Sequence, residues 1–191
     1  MLYLILIPSL ALLVASVNMI FPSLCGNLEW WQVLLITAGL TVAVIAVDGL
    51  MATLTRWVFP SKWFGRGTKL VRVHKWEKNF YMKIGVKKWK DYIPEWGGLA
   101  AFRKDKIYDP TNNEYVLRYI TEANIGAFGH LLGMIFGFAI VAIYPQKLLS
   151  ISIPIAVINF IISSLSLIIL RFNLPKLEVL YQRNLKREKK A

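Results

Sequence analysis

The sequence predicts an all-α integral membrane protein with four transmembrane helices and a basic, aromatic-rich segment between the second and third. First, 56% of the 191 residues are hydrophobic and the mean hydropathy is positive, which exceeds what the core of a soluble domain needs. Second, four apolar stretches approach or exceed the ~20 residues that cross ~30 Å of hydrocarbon as a helix. Third, basic residues are concentrated in two regions, as in cytoplasmic segments.

The four predicted spans differ in the polar groups that they carry. The first, residues 2–22, has no charge, and because it lacks a basic start and has Leu24 before Cys25, we interpret it as a retained helix rather than a signal peptide. The second contains Asp48, the third contains His130, and the fourth contains no ionisable group. These three spans cover residues 31–55, 123–144 and 148–170.

The distribution of charge predicts the orientation of the chain. Residues 56–118 carry 15 Lys and Arg against 6 Asp and Glu, and the tail 171–191 carries 7 against 2, whereas the loop 23–29 has no basic residue. We therefore expect a multi-pass protein of the bacterial cell membrane, a single membrane domain over 1–191, with both termini and the long central segment cytoplasmic. Anionic headgroups account for the basic charge, so nucleic acid is not an expected partner.

The central segment has the composition of a chain that lies at the membrane surface. Its stretch "KNFYMKIGVKKWKDYIPEWGGLAAF", residues 78–102, interleaves aromatic rings with lysines. Pro94, the pair Gly97-Gly98 and the turn-forming "YDPTNNEY" at 108–115 predict short interfacial helices joined by turns. The alternative interpretation of this segment is functional: its lysines would form a cationic surface that binds a phosphate or coenzyme A headgroup.

The third span begins with polar residues where hydrocarbon should begin, in the stretch "ITEANIGAFGHLLGM". Gly129, Gly133 and Gly137 form a stripe at four-residue spacing that permits close helix approach, and His130 lies beside it. Two interpretations of His130 stay open. It is either a neutral packing histidine or a catalytic base, since ionisable groups inside a bilayer are costly and commonly functional.

Depth along the helices favours the catalytic interpretation. His130 lies ~12 Å beyond Glu122, and Asp48 lies ~12 Å before Arg56 on an oppositely directed helix. If Arg56 and Glu122 both mark the cytoplasmic interface, Asp48 and His130 have similar depth, and the carboxylate could orient the imidazole as a general base. The expected partner of Glu122 is Arg118 at i−4 or a substrate hydroxyl.

The inner end of the fourth span combines polar groups with a proline. Arg171 and Asn173 precede Pro175, which cannot continue a helix without losing a hydrogen bond. We expect the chain to bend there and to turn these polar groups toward the interfacial segment, where they would hold an anionic headgroup.

An ordered set of motifs lies within roughly residues 56–187. The set comprises "FPSKWF" at 59–64, "NFYMKIGVKKWKDYIP" at 79–94, the spacing from Glu122 to His130, and "LRFNLPKLEVL" at 170–180. It resembles the glycosyl-diaponeurosporenoate acyltransferase family of staphyloxanthin-type carotenoid biosynthesis. The resemblance implies transfer of a fatty acyl group to a sugar hydroxyl on a membrane lipid or glycolipid. The co-substrate would be acyl-CoA or another acyl donor, without a bound cofactor.

By this resemblance His130 is the best candidate for the base, with Glu122 at a matching position. Asp48, the third predicted catalytic residue, comes from the depth argument, because it lies before the residues that carry the resemblance. The family pattern A-E-x-x-H-W is replaced here by Ala127 and Leu131 around the histidine, so Asp48 would have to supply the acid. The predicted substrate contacts are Trp89, Lys90, Arg118, Arg171 and Asn173.

Two other classes of function stay open. One is a different membrane enzyme that modifies lipid or isoprenoid tails, such as a reductase or a methyltransferase, and the other is a non-catalytic helper subunit. A metal site is not expected, because Cys25 is the only cysteine and no Cys/His spacing is typical of zinc. The sequence does not determine the oligomeric state.

Overall fold

The computed structural model describes residues 2–93, 107–143 and 148–189. Within these ranges every regular element is a helix and no strand occurs, which confirms the all-α class. The α-helices are α1 (Leu2–Ile20), α2 (Trp30–Val58), α3 (Lys75–Lys83), α4 (Val86–Trp89), α5 (Asn113–Phe136), α6 (Ala139–Ile143) and α7 (Leu149–Glu188). Short 3-10 helices cover Pro22–Cys25, Ser61–Phe64, Lys69–Val71 and Lys90–Tyr92.

In the described part of the chain, three helices are long and apolar enough to cross a membrane. They are α2, the run from α5 into α6 over Asn113–Ala142, and α7. They coincide with the second, third and fourth predicted spans. The described apolar part of α1 is the shorter stretch Ile5–Ile20, so a crossing by the first helix stays a prediction.

Helix α7 differs from the expectation at its inner end. The predicted span ended at residue 170, whereas the helix continues through Pro175 to Glu188. The bend at Pro175 stays a prediction. Leu170, Leu174 and Leu177 keep the apolar spacing of a helix and are all buried against α5. This packing holds the helical path despite the missing N–H of the proline.

The interfacial segment forms short helices joined by turns, as predicted. Between α2 and residue 93 these are two 3-10 helices, then α3, α4 and a third 3-10 helix. The predicted breaks at Pro94 and Gly97-Gly98 lie outside the described residues. The turn at 108–112 is present, and it ends where the side chain of Asn112 accepts the N–H of Tyr115 to cap α5.

The chain separates into two compact units, and we describe each by itself. The first unit comprises Met1–Ala52 and His130–Ser164. Its apolar core includes Val33, Leu40 and Ile151. A polar pair lies within it: Asn18 donates to the carbonyl of Ser150 at 3.2 Å and accepts from the hydroxyl of Ser150 at 2.5 Å, which ties α1 to α7. The predicted single membrane domain is neither supported nor opposed by this division.

The second unit comprises Thr53–Gly129 and Leu165–Ala191. The first turns of α5 pack on the later part of α7 through one buried cluster. A smaller cluster centres on the fully buried Phe64, which packs edge-on or tilted against Phe59 and Phe128. A third combines Tyr81, Val86 and Phe172, so it anchors the interfacial helices to α7.

Candidate active site

Asp48 is held by side chains of α7 in the first unit. Asn159 donates its amide N–H to Oδ1 of Asp48 at 3.2 Å, and the hydroxyl of Ser163 donates to Oδ2 at 2.9 Å. Both donors are buried. Each carboxylate oxygen therefore accepts a hydrogen bond from a neighbouring helix, inside a segment that is apolar enough to cross a membrane.

The glycine stripe of α5 is what allows Asp48 to approach. A Cβ atom placed on Gly133 would lie 3.1 Å from Cγ of Asp48 and 3.7 Å from its Cα, and still closer to Oδ1. A Cβ on Gly137 would lie 2.5 Å from the amide nitrogen of Asn159. Asn159 also donates to the carbonyl of Gly133 at 3.4 Å. The predicted close approach at the stripe is thus present, and Asp48 and Asn159 occupy the space that the glycines leave.

We expect Gly133→Ala to destabilise the first unit by about 1–3 kcal/mol, the usual cost of overpacking. The added methyl group would displace the Asp48 carboxylate from its position. Thermal unfolding of the detergent-purified protein measures the effect. Gly49→Ala is the matched control, because a Cβ there has nothing within 4 Å. Equal melting temperatures for the two variants would contradict the close approach.

His130 lies one helical turn before Gly133 and is half-buried. Residues three apart share a helix face, so the part of α5 that Asp48 contacts is the part that carries His130. The pairing of Asp48 with His130 stays a prediction. Sequence reasoning missed Asn159 and Ser163, although two polar residues at i, i+4 in an otherwise apolar span are a signal that could have found them.

Glu122 forms an ion pair in the second unit. Arg56 donates Nη1 to Oε1 at 3.2 Å and Nη2 to Oε2 at 2.5 Å, so the pair is bidentate. The assumption that these two residues mark one level is supported by this contact. The hydrogen-bond partner of the carboxylate is Arg56 on α2, whereas the sequence had favoured Arg118 on its own helix.

Asn124, the other polar residue at the start of the third span, fastens the interfacial segment. Its amide donates to the carbonyl of Phe64 at 2.8 Å, in the middle of the aromatic cluster around that residue. Its function is therefore structural: it satisfies a buried carbonyl at the end of a 3-10 helix.

Arg171 turns toward the interfacial segment, as expected, but its partner there is a buried carboxylate. It donates Nε to Oε2 of Glu77 at 2.6 Å and Nη2 to Oε1 at 2.8 Å, and Nη2 also reaches the carbonyl of Arg72. The hydroxyl of Tyr81 donates to the same Oε2 at 3.1 Å. Only 5% of Glu77 is exposed, and the pair ties α3 to α7.

The electrostatics of this cluster follow from its hydrogen bonds. Burial by itself would raise the pKa of Glu77, but the bonds from Arg171, from the His74 N–H and from Tyr81 outweigh it, so the pKa lies below the ordinary value. Burial and the adjacent carboxylate raise the pKa of Tyr81 to about 12. Glu77 is thus ionised and Tyr81 protonated at neutral pH.

The other predicted substrate contacts lie on the second unit. Trp89 donates its indole N–H to the carbonyl of Ile84 and packs beside the cluster around Phe172. Lys90 pairs with Asp91 at 2.5 Å. Asn173 accepts from the ammonium of Lys176 at 3.3 Å. Arg118 lies on α5, four residues before Glu122.

No group of three or more His, Cys, Asp or Glu in the described part of the chain could hold a metal ion. The apolar helices indicate a helical membrane protein, and the hydrogen-bonded Asp48 gives it a polar centre. The sequence profile of the glycosyl-4,4'-diaponeurosporenoate acyltransferase family matches residues 60–183, more than half of the chain. The chain belongs to this family. Neither a search of curated proteins nor a search of solved structures gave a match.

Proposed function

We propose that the chain transfers a fatty acyl group from an activated donor, such as acyl-CoA, to a hydroxyl of a glycosylated lipid in the membrane. Membership of the acyltransferase family supports the reaction class, and the family description supports a glycosylated carotenoid as the acceptor. The observation that carries the proposal within this chain is the Asp48 centre, which contacts α5 within one turn of His130.

The energetics of Asp48 favour a functional role over packing alone. A carboxylate at the centre of a membrane helix costs about 2.5–3.5 kcal/mol on insertion scales. Interhelical hydrogen bonds in membranes return about 0.6 kcal/mol each on average, so the bonds from Asn159 and Ser163 do not offset this cost. The Asp48 carboxylate therefore destabilises the folded protein on balance, and such a residue is a candidate for a catalytic role.

The proposed step uses His130 as the base. The acceptor hydroxyl oxygen attacks the carbonyl carbon of an acyl thioester, a C–O bond forms, and His130 takes the hydroxyl proton. The C–S bond then breaks, and the thiolate leaves with the proton returned by the imidazolium. Asp48 stabilises that imidazolium and fixes the tautomer of the neutral ring.

Residues of the second unit have supporting roles in this proposal. Glu122, oriented by Arg56, contributes to acceptor binding, and Trp89, Lys90, Arg118 and Asn173 contact substrate. For Arg171 we propose a positioning role, because its hydrogen bonds to Glu77 hold α3 in place.

A non-catalytic helper role is the second candidate. It is favoured by the hydrogen bonds that Asp48 already receives, since a satisfied polar group can serve helix packing. The family match favours acyl transfer over the reductase and methyltransferase alternatives.

Comparative lipid analysis tests the proposed function. Membranes of cells that contain glycosylated carotenoid and express the chain should gain a species heavier by one fatty acyl group, and cells with an empty vector should lack it. Identical lipid profiles together with normal membrane insertion would favour the helper role.

We also propose that both termini face the cytoplasm and that α1 crosses the membrane. Cys25 is buried and unsuited to labelling, so the test uses Ser23→Cys, an exposed neighbour, in a Cys25→Ala background. A membrane-impermeant thiol reagent should label Ser23→Cys in intact cells but not Thr111→Cys. Labelling of the second variant alone would reverse the orientation.

A further inference from the structure

Three lysines gather around one face of α7 in the second unit. Lys176 is exposed, and its ammonium lies 4.0 Å from the centroid of the Phe172 ring. Val86 and Trp89 pack in the cluster around Phe172, which places the neighbouring Lys87 and Lys90 close to Lys176. The charges of these two lysines and of Asp91 act on the ammonium of Lys176. The three lysines and one aspartate leave a net charge of +2 on a small surface, which we call the Lys176 patch.

The Lys176 patch differs from the arginine sites of the same unit. Arg56, Arg66 and Arg171 each bind a carboxylate through at least one N···O contact of 2.6 Å or less. Lys176 instead donates to the neutral amide of Asn173 and faces an aromatic ring. The one carboxylate at the patch, Asp91, is 75% exposed and already pairs with Lys90, and such exposed pairs contribute little.

Exposed rings accompany the patch on the interfacial elements. Tyr92, two residues after Lys90, is 75% exposed, and Trp76 and Phe80 are exposed one turn apart on α3. The adjacent face of α3, about 100° around the helix, carries Glu77 and Tyr81, which are buried. A helix with rings outward and its polar partners inward has the form of an element at the headgroup level of a bilayer.

We propose that the Lys176 patch binds the phosphate headgroup of an anionic phospholipid. The lysine ammonium groups attract the negative phosphate, and the side-chain amide of Asn173 adds a polar group beside them. The exposed aromatic rings favour a position of this surface at the depth of the lipid headgroups. The sequence placed Lys87 in the basic interfacial segment, but it assigned no role to Lys176 and did not bring the two lysines together. The site shares Lys90 and Asn173 with the proposed substrate contacts, but its test varies only Lys87 and Lys176 and needs no turnover.

The test is a calorimetric titration of the full chain in neutral detergent with dioctanoyl phosphatidylglycerol. About fivefold weaker binding is expected for Lys176→Gln and about 30-fold for Lys87→Gln/Lys176→Gln, since each basic group at a membrane surface contributes about that factor. Lys186→Gln is the matched control, because it removes the same charge from the same helix ~15 Å away. The affinity of the wild type should fall with added salt.

Two further titrants identify the ligand. Dioctanoylglycerol, which lacks phosphate, should bind with equal affinity to the wild type and the double variant, and inorganic phosphate should not displace the lipid at comparable concentration. Equal lipid affinity for the double variant and Lys186→Gln would overturn the site. Displacement by inorganic phosphate would overturn the assignment to a lipid. Because His130→Ala should bind the lipid normally, failure of the proposed reaction would be distinguishable from failure of this site.

Discussion

His130→Ala is expected to lower acyl transfer by about 10²- to 10⁴-fold while the protein still inserts and remains monodisperse in detergent. The acceptor hydroxyl must lose its proton during attack, and a general base typically contributes a factor of this size. The measurement is the rate of acyl incorporation into the acceptor by purified protein. Asp48→Asn should lower the rate less than His130→Ala, because the amide oxygen can still accept a hydrogen bond. Some loss is expected, since a neutral amide does not stabilise an imidazolium.

The other histidine of the chain provides the control. His74 is exposed at the start of α3, and the hydrogen bond from its backbone N–H to the Glu77 side chain is kept in His74→Ala. This variant should retain near-normal turnover. A His130→Ala protein with normal turnover would remove the base assignment and leave His130 as a packing residue.

Arg171→Ala is expected to destabilise the protein by about 3–5 kcal/mol, because it leaves the carboxylate of Glu77 buried without its principal partner. Arg66→Ala is the control. It breaks a bidentate pair with Glu178 whose side chains are 37% and 40% exposed, and such surface pairs contribute about 0–1 kcal/mol. Thermal unfolding in detergent compares the two variants.

The pH dependence separates this structural role from substrate binding. Because Arg171 lowers the folded-state pKa of Glu77, the stabilisation is fully present above the ordinary carboxyl pKa of 4.5 and is lost as the pH falls through the lowered value. The difference in melting temperature between wild type and Arg171→Ala should therefore narrow in acid. A raised Michaelis constant at unchanged melting temperature would instead support direct contact with substrate.

Local patterns in the sequence were sufficient to predict the long helices and part of the candidate site. Apolar length predicts α2, α5 and α7, because a helix in hydrocarbon must satisfy its backbone internally over a fixed thickness. The four-residue glycine spacing predicts the close approach at Gly133, and the depth argument gave Asp48 a depth similar to that of the adjacent His130. Both signals are read from spacings along individual helices.

The tertiary structure decided which groups meet. Asn159 and Ser163 lie more than 100 residues from Asp48, and Glu77 lies 94 residues before Arg171. Such pairs depend on how the helices pack, and no spacing within one element encodes them. The sequence by itself determined that the chain has long apolar helices with polar groups inside them. Packing between helices decided which carboxylate Arg56, Arg66 and Arg171 each contact, because those partners lie far apart along the chain. Packing also stabilises α7 through Pro175 and brings Lys87 and Lys90 close to Lys176.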